Sequence, residues 1–217
     1  MLRLILSLGA LMWATTAAGG AWLREEGTAF VATSILQGLD GHSDAALYAE
    51  YGLRPKLTLG IKADASMVAG QVSGGSGFAF VRLPVNTGDR PYKLAYEIGL
   101  GATLGAETDP LLRTGLSYGR GIRWREKYGW FAMDLAVEWS FGEVPHTVKL
   151  DTTLGMGLTD TTKLLMQVFV SSAGDDTSLT LAPSLIWQPR PQKPSYQIGL
   201  EAEQGDISLR LGLWQEF

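Results

Sequence analysis

Along most of the chain, apolar and polar residues alternate one by one, the pattern of a strand whose two faces meet different surroundings. In the run 92–104, Tyr92, Leu94, Tyr96, Ile98, Leu100, Ala102 and Leu104 share one side, and Lys93, Ala95, Glu97, Gly99, Gly101 and Thr103 the other. Residues 57–67 repeat this, with Leu57, Leu59, Ile61, Ala63, Ala65 and Met67 opposite Thr58, Gly60, Lys62, Asp64 and Ser66. Near the C-terminus Ile207, Leu209, Leu211 and Leu213 oppose Ser208, Arg210 and Gly212. No helical periodicity competes with it.

Extending the rule predicts about 12 strands, over residues 27–37, 44–54, 57–67, 77–86, 92–104, 111–124, 128–141, 147–158, 163–172, 178–188, 195–204 and 207–217. Each has about ten residues or more, enough for a tilted strand to cross a bilayer. The segments between them carry turn residues, as in Arg54-Pro55-Lys56, residues 87–91, residues 159–162 and residues 189–194. The fourth strand has an ambiguous apolar face and contains Pro84, so its register is the least well specified of the twelve.

Alternation alone leaves open whether the apolar face meets lipid or a buried core, as in a lipocalin-like barrel. The aromatic residues help to decide. If the connections alternate between two ends, Tyr51, Tyr92, Trp124, Trp187, Tyr196 and Phe217 all fall at one end and on the apolar face. Such a ring suits a membrane–water boundary, where an aromatic body sits in the apolar zone and its polar tip stays wet. Trp139 and Phe141 would begin a second ring at the other end. Charge divides in the same way. The aromatic end holds Arg54, Lys56, Arg90, Arg125, Lys127, Lys163, Arg190 and Lys193 against three acids. The opposite end holds Asp40, Asp44, Glu107, Asp109, Glu143, Asp175, Asp176 and Asp206 and no Lys or Arg. The reading is therefore an all-β protein, a single antiparallel up-and-down transmembrane β-barrel.

Residues 1–18 differ from the rest. A basic start with Arg3, an apolar stretch from Leu4 to Ala14 and the small residues Thr16-Ala17-Ala18 form a cleaved signal peptide. Residues 19–217 are then the barrel domain. Cysteine is absent from all 217 residues, which excludes a lipoprotein anchor, disulfides and thiolate chemistry. Only 18% of residues are charged and the formal net charge is −4, so nothing points to nucleic acid.

The ending Leu209-x-Leu211-x-Leu213-x-Gln215-x-Phe217 resembles the last strand of Gram-negative outer-membrane β-barrel proteins, with Gln215 where an aromatic residue is common. The resemblance implies an outer-membrane location, both termini in the periplasm, and recognition of the terminal strand by the barrel-assembly machinery.

The face opposite the apolar one would line the lumen. Its charged candidates are Lys62, Asp64, Lys93, Glu97, Arg113, Arg123, Asp134, Glu138, Lys149, Asp151, Glu201, Glu203 and Arg210, interleaved with glycines that leave free volume. Barrels of about 8 strands are filled by side chains and those of 16–18 hold an aqueous channel. Twelve strands with a glycine-rich interior suggest a narrow passive channel for small polar solutes or cations. A lumen closed by opposed charges, in a structural or surface-interaction barrel, is the alternative. No cofactor or metal is expected, since His42 and His146 lack ligand spacing. A third reading, a lipid hydrolase at the rim, rests on a weak resemblance of His146 and Ser172 to the catalytic pair of outer membrane phospholipase A. Those two alternate on one strand, whereas here the sequence runs His146-Thr147-Val148.

Overall fold

The computed structural model describes residues 20–105 and 108–217, so the leader reading over residues 1–18 and the rim acid Glu107 lie outside it. Twelve strands follow one another: β1 (Ala29–Gly38), β2 (His42–Arg54), β3 (Leu57–Val68), β4 (Gln71–Pro84), β5 (Tyr92–Thr103), β6 (Pro110–Trp124), β7 (Lys127–Ser140), β8 (Thr147–Gly157), β9 (Thr162–Ala173), β10 (Asp176–Trp187), β11 (Ser195–Glu203) and β12 (Asp206–Glu216). Each pairs antiparallel with its neighbours in sequence, and β1 pairs with β12 to close the barrel. At the seam Phe217 N–H donates to Ala29 O at 2.9 Å and Ala29 N–H to Phe217 O at 3.1 Å, which leaves no open edge.

The strand pattern predicted from the sequence is observed, with one substantial difference in length. The strand expected to begin at residue 77 begins at Gln71 and is joined to β3 by the two residues Ala69 and Gly70. Both have positive φ, 52° and 78°, as a tight hairpin of matching twist requires. Glycine and serine dominate residues 73–77, a composition that reads as a loop. Ladder hydrogen bonding to β3 overrides it, with a bulge between Ser66 and Met67 absorbing the misfit. Pro84 closes the strand at its end, where a missing N–H costs least.

The distribution of burial is inverted relative to a water-soluble domain. Ile61, Ile98, Leu100, Leu116, Leu185 and Ile198 are exposed, whereas Glu50, Arg82, Glu97, Arg113 and Glu138 are buried. The outside of the barrel is an apolar belt whose side chains acyl chains can solvate, the inside carries the charge, and closure pairs each strand with a neighbour on both sides. Among the described residues no helix is long and apolar enough to cross a membrane.

The belt ends in aromatics. Tyr51, Trp124, Trp187, Tyr196 and Phe217 are exposed at one end, and Trp187 and Tyr196 are register partners with ring centroids 5.9 Å apart. Tyr92 joins them, half-buried and stacked on Tyr118 at 5.9 Å. At the other end Trp139 and Phe141 are exposed.

Candidate functional site

The site is the lumen, and its central feature is a chain of ion pairs that climbs around the inner wall. Arg24 Nε lies 2.8 Å from Glu50 Oε2, and Glu50 in turn pairs with Arg82. Arg82 Nη2 is 2.6 Å from Glu97 Oε2, and Glu97 Oε1 is 2.8 Å from Arg113 Nε. Arg113 Nη1 reaches Glu138 Oε1 at 2.6 Å, and Glu138 Oε2 ends the chain at Lys149 Nζ, 2.9 Å away. Successive members come from β2, β4, β5, β6, β7 and β8, so one alternating network ties half the barrel together. Tyr48 Oη adds a donor to Glu50 and accepts from Arg82 Nη2 at 3.1 Å. Charges withdrawn from water in this way are tolerated because each is paired and hydrogen-bonded.

The chain's own N-terminal segment supplies the first member. Residues 20–26 enter from the aromatic-rich end. Arg24 N–H donates to the buried Thr58 Oγ1 at 2.9 Å, and Arg24 Nη1 lies 3.4 Å from Glu216 Oε1. Trp22 packs over Gly119 and against a buried cluster of Trp130, Ala132, Leu165 and Ile186 that Trp214 also joins. Gly20 reaches Asp134, so close that a Cβ at residue 20 would lie 2.2 Å from Asp134 Oδ1.

The glycines of the wall do not leave the free volume their composition suggests. Neighbouring rings occupy the notches: Phe80 over Gly60, Phe78 over Gly101, Trp130 over Gly155 and Trp22 over Gly119. A ring laid over a glycine on the next strand covers backbone that would otherwise be bare and holds the register. Gly121 is an exception, with open space where a Cβ would stand.

What remains is a central cavity of about 310 Å³, lined among others by Lys62, Arg82, Arg113, Asp134, Asp151 and Arg210, with Phe30, Phe80, Phe169 and Trp214 between them. At the mouth opposite the aromatic-rich end lies a second cavity of about 490 Å³, lined by Asp40, Asp44, Glu201, Glu203 and Asp206 and by His42 as its one basic side chain.

No protein-family model matches this chain, and no curated protein matches it by sequence. Solved structures do resemble it in three dimensions. The KdgM porin superposes with a TM-score of 0.60 at 8% identity, covering 88% of this chain and 99% of its own. An outer membrane channel from Pseudomonas putida F1 gives 0.61 at 14% identity, covering 92% and 98%. LpxR from Salmonella typhimurium gives 0.57 at 7% identity, covering 87% and 99%. The fold is that of outer-membrane β-barrel proteins.

Within this barrel the predicted lumen residues divide into four groups. Glu97, Arg113, Glu138 and Lys149 belong to the ion-pair chain. Four others are held locally: Asp64 accepts from Ser76 Oγ at 2.8 Å, Glu203 from Thr180 Oγ1 at 2.7 Å, and Glu201 from Arg210 Nε at 2.8 Å. Lys93 and Arg123 turn back at the aromatic-rich rim, Lys93 donating to Gly88 O at 3.0 Å and Arg123 to Arg125 O at 3.1 Å. Lys62, Asp134 and Asp151 face the cavity, and among the described residues none of the three has an ion-pair partner within 4.0 Å.

Three charged members of the network, Arg24, Glu50 and Arg82, are absent from the sequence-derived set. Glu50 was accessible to parity, because Tyr51 beside it faces outward. Arg82 was hidden, because Phe78, Ala79, Phe80 and Val81 give β4 two apolar faces. Arg24 lies outside any strand, where alternation has nothing to say.

The residues of the hydrolase reading are engaged separately. His146 Nδ1 accepts from Ser140 N–H at 3.0 Å and its ring packs on Trp139, while Ser172 Oγ shares a hydrogen bond with Thr177 Oγ1 at 3.1 Å.

Proposed function

We propose that this chain is a bacterial outer-membrane channel, a narrow passive pore for small polar solutes or ions. The observation that carries the reading is the central cavity, in which Lys62, Asp134 and Asp151 present charge that is not spent in ion pairs. An ion or polar solute entering a pore this narrow sheds water, and fixed charges and dipoles on the wall must replace it. The names of the similar structures, a porin and an outer membrane channel, support the same reading.

In this reading the apolar belt faces outer-membrane lipid, both termini are periplasmic, and β12 with Phe217 is the strand the barrel-assembly machinery recognises. The acidic mouth then faces the cell exterior. The connections there are short, Ala69–Gly70 and Gln204–Gly205 among them, which leaves little surface for a receptor.

A specific observation favours the alternative of a closed barrel. Residues 20–24 and the Trp130–Leu165 cluster occupy the aromatic-rich half of the lumen, and the ion-pair chain runs from there along the wall toward the opposite end. Swelling of proteoliposomes in solutes of graded size separates the two. A channel admits solutes the size of amino acids or monosaccharides and rejects larger ones, whereas a closed barrel admits none.

A further inference from the structure

The last rung of β2 is irregular. After the pair Gly52–Thr58 the ladder shifts, and Arg54 stands opposite Leu57. Gly27 N–H donates to Gly52 O at 2.8 Å and Gly52 N–H to Thr28 O at 2.9 Å, which fixes the bulge. Glu25 O lies where a Cβ at residue 52 would stand, so the close approach requires glycine. An extra residue reverses parity beyond it. Arg54, which its even number would send into the lumen, therefore shares the outer face with its partner Leu57. Arg54 and Lys56 are exposed, and no acidic side chain lies within 4.0 Å of either among the described residues.

Next to Arg54 the outer wall is concave. A groove of about 840 Å³ is lined among others by Ala49, Tyr51, Leu59, Ile61, Ala79 and Leu100. Ala49 and Ala79 are the register partners of Ile61 and leave hollows on either side of it. A second hollow of about 520 Å³, with Ala63, Ala65 and Leu104 in its wall, continues along β3. From Leu59 to Ala65 the strand rises roughly 20 Å, and a tilt of about 45° reduces this to roughly 14 Å along the barrel axis. That is close to one leaflet's share of a hydrocarbon core about 30 Å thick.

We propose that this furrow holds one anionic phospholipid, with an acyl chain laid along β3 and its phosphate on Arg54, assisted by Lys56. This rests on the outer-membrane reading in which the aromatic-rich end is periplasmic. Charge selects the headgroup. Two cations without a carboxylate partner neutralise a phosphate, and the guanidinium fork can take two of its oxygens, whereas a lipid ammonium finds no acceptor there. Tyr51 stands between the cation and the furrow, at the depth where an amphipathic ring meets the headgroup region. Charge also argues against a second copy as the occupant. Two barrels side by side in one membrane would bring one basic rim against another, while an anionic lipid neutralises the rim it meets.

Native mass spectrometry of the purified protein in detergent tests this, with phosphatidylglycerol and phosphatidylethanolamine of identical acyl chains as probes. One phosphatidylglycerol should stay bound under activation that strips phosphatidylethanolamine. Arg54→Ala should lower the bound fraction about fivefold, the scale of one arginine at an anionic lipid surface, and Arg54→Lys should lower it less. Arg190→Ala, on the β10–β11 turn of the same rim, should leave it unchanged. Ala79→Phe fills the furrow and should expel the lipid. Equal retention of the two lipids, or equal losses in Arg54→Ala and Arg190→Ala, would overturn the headgroup contact. Undiminished binding in Ala79→Phe would overturn the furrow. A dimer that Ala79→Phe dissolves would give the face to a second copy and overturn the lipid. Binding in detergent does not depend on orientation, so the periplasmic reading fails separately. The chain has no cysteine, and labelling of Lys56→Cys on intact cells by an impermeant maleimide would overturn that reading while the binding result stood.

Discussion

Arg82 and Glu97 are register partners on β4 and β5, and their side chains meet at 2.6 Å inside the barrel. Glu97 also holds Arg113 and Arg82 also holds Glu50, so each charge is shared between two partners, while the buried Arg82 Nε is left without a hydrogen bond. The pair is the middle link of a network that crosses six strands. Its merit is specificity of register more than net stability, because paired ions recover little beyond their lost hydration.

Removing one link should therefore be costly. Glu97→Gln leaves two buried guanidiniums short of a counter-charge, and a loss of about 3–5 kcal/mol is expected for such a break. Replacing Arg82, Glu97 and Arg113 together by methionine should cost less than the single change. Urea titration of the protein folded into lipid vesicles measures both, and a harmless Glu97→Gln would show that the network contributes little.

The glycines divide by what stands over them. Gly60→Val drives a side chain into the Phe80 ring, and overpacking of this kind costs about 1–3 kcal/mol. Gly121→Ser, also on the inner face, meets open space and should be close to neutral. The same unfolding titration discriminates them. Equal effects would remove the ring-over-glycine account.

Outward positions should reject charge. Ile98→Arg, in the middle of β5 on the apolar belt, should lose about 2–4 kcal/mol if it lies near the bilayer midplane. Folding yield into vesicles reads the effect directly. Undiminished folding would mean that this face does not meet lipid.

The strands, their faces and the closure were legible because a period of two, repeated around the whole barrel, needs only residue order. The content of the lumen was less so. Charges on strands with one apolar face, such as Glu97 and Arg113, follow from parity. Arg82 does not, since Phe78 and Phe80 share its inner face and make β4 apolar on both sides. The aromatic filling was hidden by the same ambiguity, because whether Gly60 is a void or a socket depends on which residue of the neighbouring strand lies across from it, and only the register tells. Register partners also explain why Asp134 and Asp151, separated by 17 positions in sequence, form one acidic feature.

Selectivity should favour cations. The cavity at the mouth opposite the aromatic ring carries Asp40, Asp44, Glu203 and Asp206 without Lys or Arg among its lining residues. Such a mouth concentrates cations, and the effect fades as salt shortens the screening length. Reversal potentials across a potassium chloride gradient should show a weak cation preference that declines with ionic strength. Preference for chloride at low salt would contradict it.

The central claim is that the lumen conducts, and single-channel recording of the processed protein in planar bilayers tests it most directly. The account predicts small discrete steps in potassium chloride, smaller than those of wide 16–18-stranded porins because rings and ion pairs fill much of the interior. They should grow when Arg24→Ala loosens the N-terminal segment. Bilayers that contain folded protein yet stay silent, for both the native chain and Arg24→Ala, would contradict the channel and leave a closed barrel.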